Sequence, residues 1–177
     1  MAEGNMTADA ILLGRDERGY FINAHGSIRA QLCYPLRDAV LARLDEAGKV
    51  PAVYADLSEC RYMDSTFIGL LVGIDKKLHA SSGGRLHVLR PSPECLDILE
   101  QIGLRDYLLI EDKRQTNPPV MSAISPETGT PGAEFVLRAH EALMETSEQA
   151  RRKFSLLKEL LEKKLKEKTT PRGNPGE

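Results

Sequence analysis

The sequence predicts an α/β fold, a mixed β-sheet with its helices mainly on one face, followed by a long C-terminal helix. Three observations predict it. Two short runs rich in branched and aromatic residues, Ala10-Ile11-Leu12-Leu13 and Tyr20-Phe21-Ile22-Asn23-Ala24, flank the polar stretch Gly14 to Gly19 and read as a hairpin. From Cys33 onward, helical and strand-like patterns alternate, the order of a sheet covered by crossover helices. In the last third, Val136, His140, Leu143, Ser147, Ala150, Phe154, Leu157 and Leu161 recur in steps of four and three through a run free of Gly and Pro.

The first helix is expected from Cys33 to Ala47. Leu36, Ala39, Val40 and Leu44 keep helical spacing, Pro35 falls in the first turn where its missing N–H costs little, and Gly48 ends the run. Ala52 to Leu57 reads as a strand. The next helix follows Asp64-Ser65, with Ile68, Leu71, Ile74 and Leu78 on one stripe. Ser81-Ser82-Gly83-Gly84 breaks it before a strand at Leu86 to Leu89. Ser92-Pro93-Glu94 is a helix start, Cys95, Ile98, Leu99 and Ile102 mark one face, and Gly103 ends that helix. Tyr107 to Ile110 is expected as the last strand. Residues 112–133 carry Pro118, Pro119, Pro126 and Pro131 among Thr, Ser and Gly, a linker composition expected to be extended or mobile. An amphipathic helix then spans 134–168, and 169–177 reads as a disordered tail.

At 177 residues the chain holds one domain of ordinary size plus an appendage. No apolar run reaches the length of a membrane span, and the N-terminus lacks the basic and apolar regions of a signal peptide, so a cytoplasmic location is expected. Cys33, Cys60 and Cys95 are odd in number and widely spaced, which argues against a disulfide framework and a zinc site. The four histidines show no ligand spacing either, and no acid, base and nucleophile set is visible, so neither a cofactor nor an enzyme is expected. Residues 151–168 hold eight basic and three acidic side chains; against a chain total of −2, this excess of five leaves −7 for the rest. An acidic body argues against nucleic acid as partner.

The segment Cys60-Arg61-Tyr62-Met63-Asp64-Ser65-Thr66-Phe67-Ile68-Gly69 concentrates the functional signal, because a hydroxyl there sits exposed where a strand gives way to a helix. On spacing alone, Asp64 or Ser65 is the N-cap. A helix N-terminus also tolerates an added dianion, which opens Ser65 to a phosphorylation switch. The stretch from Asp56 to Ile110 resembles the STAS domain of bacterial anti-anti-sigma factors (anti-sigma factor antagonists), and Met63-Asp64-Ser65-Thr66 matches that family's phosphoacceptor motif. Ser82-Gly83-Gly84 and Leu99-Glu100-Gln101-Ile102-Gly103-Leu104 are supporting matches. The resemblance covers 9–111 and is silent on the C-terminal third.

The resemblance implies a STAS-like fold and a non-enzymatic switch. In it, Ser65 is the phosphoacceptor, with Thr66 the second choice, and Asp64, Ser65, Thr66, Phe67, Ile68, Gly69 and Arg29 form the partner-binding surface. The implied partners are an anti-sigma factor serine kinase and a PP2C-type phosphatase. Two departures stand near the switch: Phe67 where the family usually has Gly, and Arg29 where it usually shows Asp. The switch helix is apolar nearly all round, and Gly69 and Gly73 clear a small-residue strip along which another backbone fits, so part of that surface is expected to meet a partner or the sheet. The C-terminal helix is open to docking on the core, to homodimer pairing with a second copy, or to binding another protein; its lysine-rich end also suits a membrane surface, though not insertion. An alternative role is a STAS subunit of another signalling or transporter-associated complex, recruited through that helix.

Overall fold

The computed structural model describes residues 8–46 and 52–169. Strands β1 (Ala10–Asp16) and β2 (Gly19–Ile28) form the expected hairpin, pairing antiparallel down to Asp16 opposite Gly19. The turn is tighter than the polar composition suggested, because the Asp16 carboxylate accepts the Arg18 backbone N–H at 2.9 Å and closes it over two residues. Strand β3 (Ala52–Met63) lies parallel to β2, β4 (Leu86–Leu89) parallel to β3, and β5 (Leu109–Glu111) parallel to β4. A sixth strand, β6 (Met121–Ala123), pairs antiparallel with β1, giving the order β5-β4-β3-β2-β1-β6.

Side-chain alternation divides the sheet into two unlike faces. On one, Ile11, Leu13, Tyr20, Ile22, Val53, Ala55, Leu57, Leu86 and Val88 join the helices in the core. On the other, Tyr54 stands between Phe21 and His87, each ring centroid 5.0 Å away. The helices are α1 (Ala30–Glu46), α2 (Ser65–Ser82), α3 (Pro93–Gln101), α4 (Ala133–Met144) and α5 (Glu148–Thr169). α3 starts at its Ser92 cap and α2 stops at Gly83, whose φ of 69° admits the left-handed conformation that lets its N–H reach the His79 carbonyl. Asp75 of α2, 3% exposed, accepts from Arg85 Nε at 2.9 Å and Leu86 N at 2.8 Å, which ties the helix to the start of β4.

Several boundaries differ from the sequence reading, chiefly because of contacts between residues distant in sequence. α1 begins at Ala30, not Cys33, because a remote carboxylate caps it, and Pro35 therefore sits in the second turn. The proline removes a donor to the Gln31 carbonyl, and that carbonyl is taken instead by the Glu127 N–H at 2.9 Å. The expected stop at Gly48 and the tail beyond Thr169 lie outside the described residues. Residues 112–133 run along the sheet and are not slack: Arg18 Nη2 donates to the Thr116 carbonyl at 2.8 Å, β6 extends the sheet, and Ile124 N donates to Ile11 O at 2.8 Å. So Tyr107 to Ile110 is not the last strand, and its pairing starts only at Leu109.

The C-terminal helix is two helices with a sharp reversal between them. Thr146 turns its hydroxyl and its N–H back on the Leu143 carbonyl, and Ser147 Oγ accepts the Ala150 N–H at 3.0 Å as the cap of α5 while donating to Ile102 O at 3.0 Å. α5 folds back over α4, burying Ala150 and Phe154, and α4 lies across the outward face of α2. The crossing point is Gly69, whose Cα faces the backbone of Ala139 so closely that a methyl there would overlap the Ala139 Cα, carbonyl carbon and oxygen. The small-residue strip of α2 thus receives a helix of the same chain at Gly69, whereas a Cβ at Gly73 would meet nothing within 4 Å. The N-terminal end of α4 is pinned to α1 by Phe135, edge-on to Tyr34 at 5.5 Å and under the Arg37 guanidinium at 5.1 Å.

In a free helix, Gly→Ala adds about 1 kcal/mol of stability. Gly69→Ala is expected to do the reverse for the docked state, raising amide hydrogen exchange in α4 while leaving β3 protected. Exchange measured peptide by peptide on both proteins checks this.

Candidate functional site

β3 ends at Met63 and α2 begins at Ser65, and the single residue between them organises the region. Asp64 is extended (φ −81°, ψ 167°), and its Oδ1 accepts the Phe67 N–H at 2.9 Å, the N-cap of α2. Its other oxygen, Oδ2, accepts the Ala30 N–H at 2.8 Å and so caps α1 as well. The Asp64 N–H donates to Ile28 O at 3.0 Å at the end of β2. One carboxylate therefore fixes the starts of two helices against one strand end. Of the two cap candidates, Asp64 takes the role and leaves the Ser65 hydroxyl for other bonds.

Ser65 is not simply exposed. It is half-buried under α4, with Oγ 2.8 Å from His140 Nε2. His140 Nδ1 lies 2.7 Å from the Val136 carbonyl, which can only accept, so Nδ1 carries the proton and Nε2 accepts from the Ser65 hydroxyl. The ring is 1% exposed and lies 5.2 Å from the Phe154 ring of α5. Burial holds its pKa below the ordinary histidine value, and the Val136 carbonyl and Asp64 charge oppose this only in part. His140 is thus a neutral acceptor that fixes the hydroxyl's direction.

The remaining predicted residues separate by depth. Thr66, Phe67, Ile68 and Gly69 are buried, Phe67 in the core and Gly69 beneath Ala139. They shape the site from below and do not present side chains outward. Arg29 is exposed on the β2–α1 connection, and its guanidinium lies 5.1 Å over the Tyr62 ring. Beyond the crossing, Lys76 pairs with Glu145 and donates to Ala142 O at 3.2 Å, and Lys77 pairs with Asp45 at 2.5 Å. His140 is the residue the sequence reading missed, because 75 positions separate it from Ser65. Its place on the apolar seam was visible, but its partner was not.

Chemically, the site offers an oriented serine hydroxyl at the positive end of a helix, next to a carboxylate already committed to two N–H groups. That end favours an anionic group on Ser65. Among the described residues no cluster of His, Cys, Asp and Glu could hold a metal ion, and the three cysteines are buried and free. No described helix is long and apolar enough to cross a membrane.

Residues 11–111 match the family model described as Mlab, STAS domain. Among solved structures, the chain is similar to the anti-sigma factor antagonist SpoIIAA in its unphosphorylated form. That match has 21% identity, covers 59% of this chain and 90% of that one, and has a TM-score of 0.52. A second similar structure is an anti-sigma factor antagonist from Mycobacterium paratuberculosis, at 19% identity over 58% of this chain and 85% of that one, with a TM-score of 0.48. No curated protein matches. At 21% identity the first likeness speaks to the fold, and it agrees with the mixed sheet described above.

Two outcomes test the geometry. Asp64→Ala removes two caps at about 1 kcal/mol each, so a loss of about 2 kcal/mol is expected in urea titration, while Asp64→Asn, which keeps one acceptor oxygen, should lose about half as much. The second outcome is pH dependence. Because the folded pKa of His140 is depressed, an undocked chain binds more protons than a docked one below the ordinary value of about 6.5. Docking of α4 is therefore fully stabilised above that pH and weakens as pH falls toward the depressed value; amide exchange of α4, corrected for its intrinsic pH dependence, should rise, and His140→Gln should flatten the trend.

Proposed function

The chain belongs to the STAS domain family, and on that premise we propose that it is an anti-sigma factor antagonist, a non-enzymatic switch that binds an anti-sigma factor serine kinase until phosphate on Ser65 ends the complex. The observation that carries this reading is the position of Ser65, directly after a doubly capping Asp64 and at the first residue of α2. A phosphate adds roughly −1.5 to −2 charges. Placed there, it meets the positive helix end, which the fold tolerates, and the Asp64 carboxylate, which makes the surface strongly anionic. The penalty then falls on the α4 cover at His140 and on a partner interface, and spares the sheet and the core beneath it.

Thr66 is the weaker acceptor because its side chain is 4% exposed. A PP2C-type phosphatase completes the cycle in this reading, and a cytoplasmic setting supplies both enzymes and the sigma factor. Arg29 enters as an exposed cation beside Tyr62 on the connection that Asp64 caps, placed to meet a partner's acidic group. A specific observation favours a second role for the C-terminal third: α5 leaves Leu156 and Leu160 65% and 57% exposed, one turn apart. That stripe is suited to pairing with a second copy or to recruiting the domain into a larger assembly.

With the purified cognate kinase and ATP, phosphate is expected on Ser65 by peptide mapping, and Ser65→Ala should lose nearly all of the label. Ser65→Asp should melt within a few degrees of wild type yet bind the kinase at least tenfold more weakly. Equal labelling of Ser65→Ala would move the acceptor elsewhere.

A further inference from the structure

The residues that match the family end at 111, before α4 begins, and the face of α2 that looks away from the sheet is the face α4 covers. α2 is buried nearly all round for that reason: one side lies on the sheet and the other beneath a helix of twelve residues. Two features show what this face accepts. Gly69, having no Cβ, lets a backbone come as close as that of Ala139 does, the approach of a helix presenting a small residue. Next to it, Lys76 on the α2 rim holds the carboxylate of Glu145 at the end of α4, whereas Lys77 is already paired with Asp45 of α1.

α4 does not fill this groove. A cavity of about 510 Å³ remains between α1, α2 and α4, with Leu41 and Leu70 in its walls and Arg37, Lys77 and Arg138 at its rim. A side chain at Gly73 would meet nothing within 4 Å. The α4 start carries no side-chain cap, since Gly132 stands there, and its deepest polar contact is the one from His140 to Ser65. A longer or bulkier helix would bury more on the same surface.

We propose that the outward face of α2 is a helix-docking groove, that its partner is an amphipathic helix of another protein with a small residue at the Gly69 crossing and an acidic residue toward Lys76, where Glu145 now sits, and that α4 occupies this groove in cis and shields Ser65 until such a helix displaces it. The proposal rests on the reading of Ser65 as the acceptor for its regulatory meaning, while the groove and the shield stand on the packing alone. Tethered α4 competes at an effective concentration in the millimolar range, so an outside helix succeeds only if it binds better than α4 does.

The test needs no kinase. A fluorescently labelled synthetic peptide of residues 133–146 is titrated into the full-length protein and into its Phe135→Ala/Leu143→Ala variant, in which internal α4 is loosened. The peptide should bind the variant at least tenfold more tightly, and adding Gly69→Ala should abolish that binding. In parallel, Ser65→Cys is introduced into wild type and into the variant, and thiol labelling by a maleimide is timed. Labelling should be at least tenfold faster in the variant, with β3 amide exchange unchanged as the check on folding. If the double variant loses β3 protection, Gly69→Ala alone replaces it in the labelling arm, where the same acceleration is expected. Equal labelling rates would remove the shield, and peptide affinity insensitive to the variant or to Gly69→Ala would remove the groove. Success here together with no phosphate on Ser65 would leave the groove and overturn the kinase reading by itself.

Discussion

Everything around the candidate site hangs on the two oxygens of Asp64. A carboxylate that accepts one helix start is ordinary; here the second oxygen reaches across to another helix, so α1 and α2 cannot shift relative to each other without breaking a cap. Because the same residue's N–H is tied to Ile28, the end of β2 belongs to the same unit. Ser65 inherits its position from that unit. A hydroxyl on a frayed helix end would sample many directions, whereas this one follows a residue held by three hydrogen bonds and has its proton directed to a single ring nitrogen.

The cover over Ser65 is a balance of opposing effects. Burying Phe135, Ala139, Leu143 and, through α5, Ala150 and Phe154 favours docking, at about 1.5–3 kcal/mol for each large side chain fully removed from water. Against it stand the ordering of the whole hairpin and the desolvation of His140, which is kept neutral to fit. The contact at Gly69 contributes chiefly specificity, since it decides which backbone fits. A segment held by a few aromatic and aliphatic anchors, the Ser65–His140 and Ser147–Ile102 hydrogen bonds and the contacts of one lysine, Lys76, is the type of element that opens below the energy of global unfolding.

The sheet and its helices were legible because their signals are local. The Ser92-Pro93 start and the Gly83 stop depend on neighbours within a few residues, and Leu86–Leu89 emerged with its expected bounds, while β3 starts at Ala52 as expected but runs on to Met63, past the expected end at Leu57. What escaped was set by contacts distant in sequence. The start of α1 depends on a carboxylate 34 residues on. β6 is three residues whose strand character comes from the free edge of β1 and not from their own composition. The reversal at Thr146-Ser147 was hidden because Ser147 also fits a helical step, and its role as a cap for the Ala150 N–H goes with a bond to the distant Ile102 carbonyl. At the site, Asp64 and Ser65 were readable as a helix start, but His140 read as a weak seam position, since no local pattern pairs a histidine with a serine 75 residues away.

The small strand β6 has a consequence of its own. β1 is seven residues long and, without β6, would present an open row of backbone donors and acceptors at the margin of the sheet. The segment that carries the chain from the domain to its C-terminal hairpin therefore also works as an edge guard, closing a template on which like chains would otherwise stack strand by strand. Shortening the protein at the end of its family domain would strip that guard and turn a question of signalling into one of solubility.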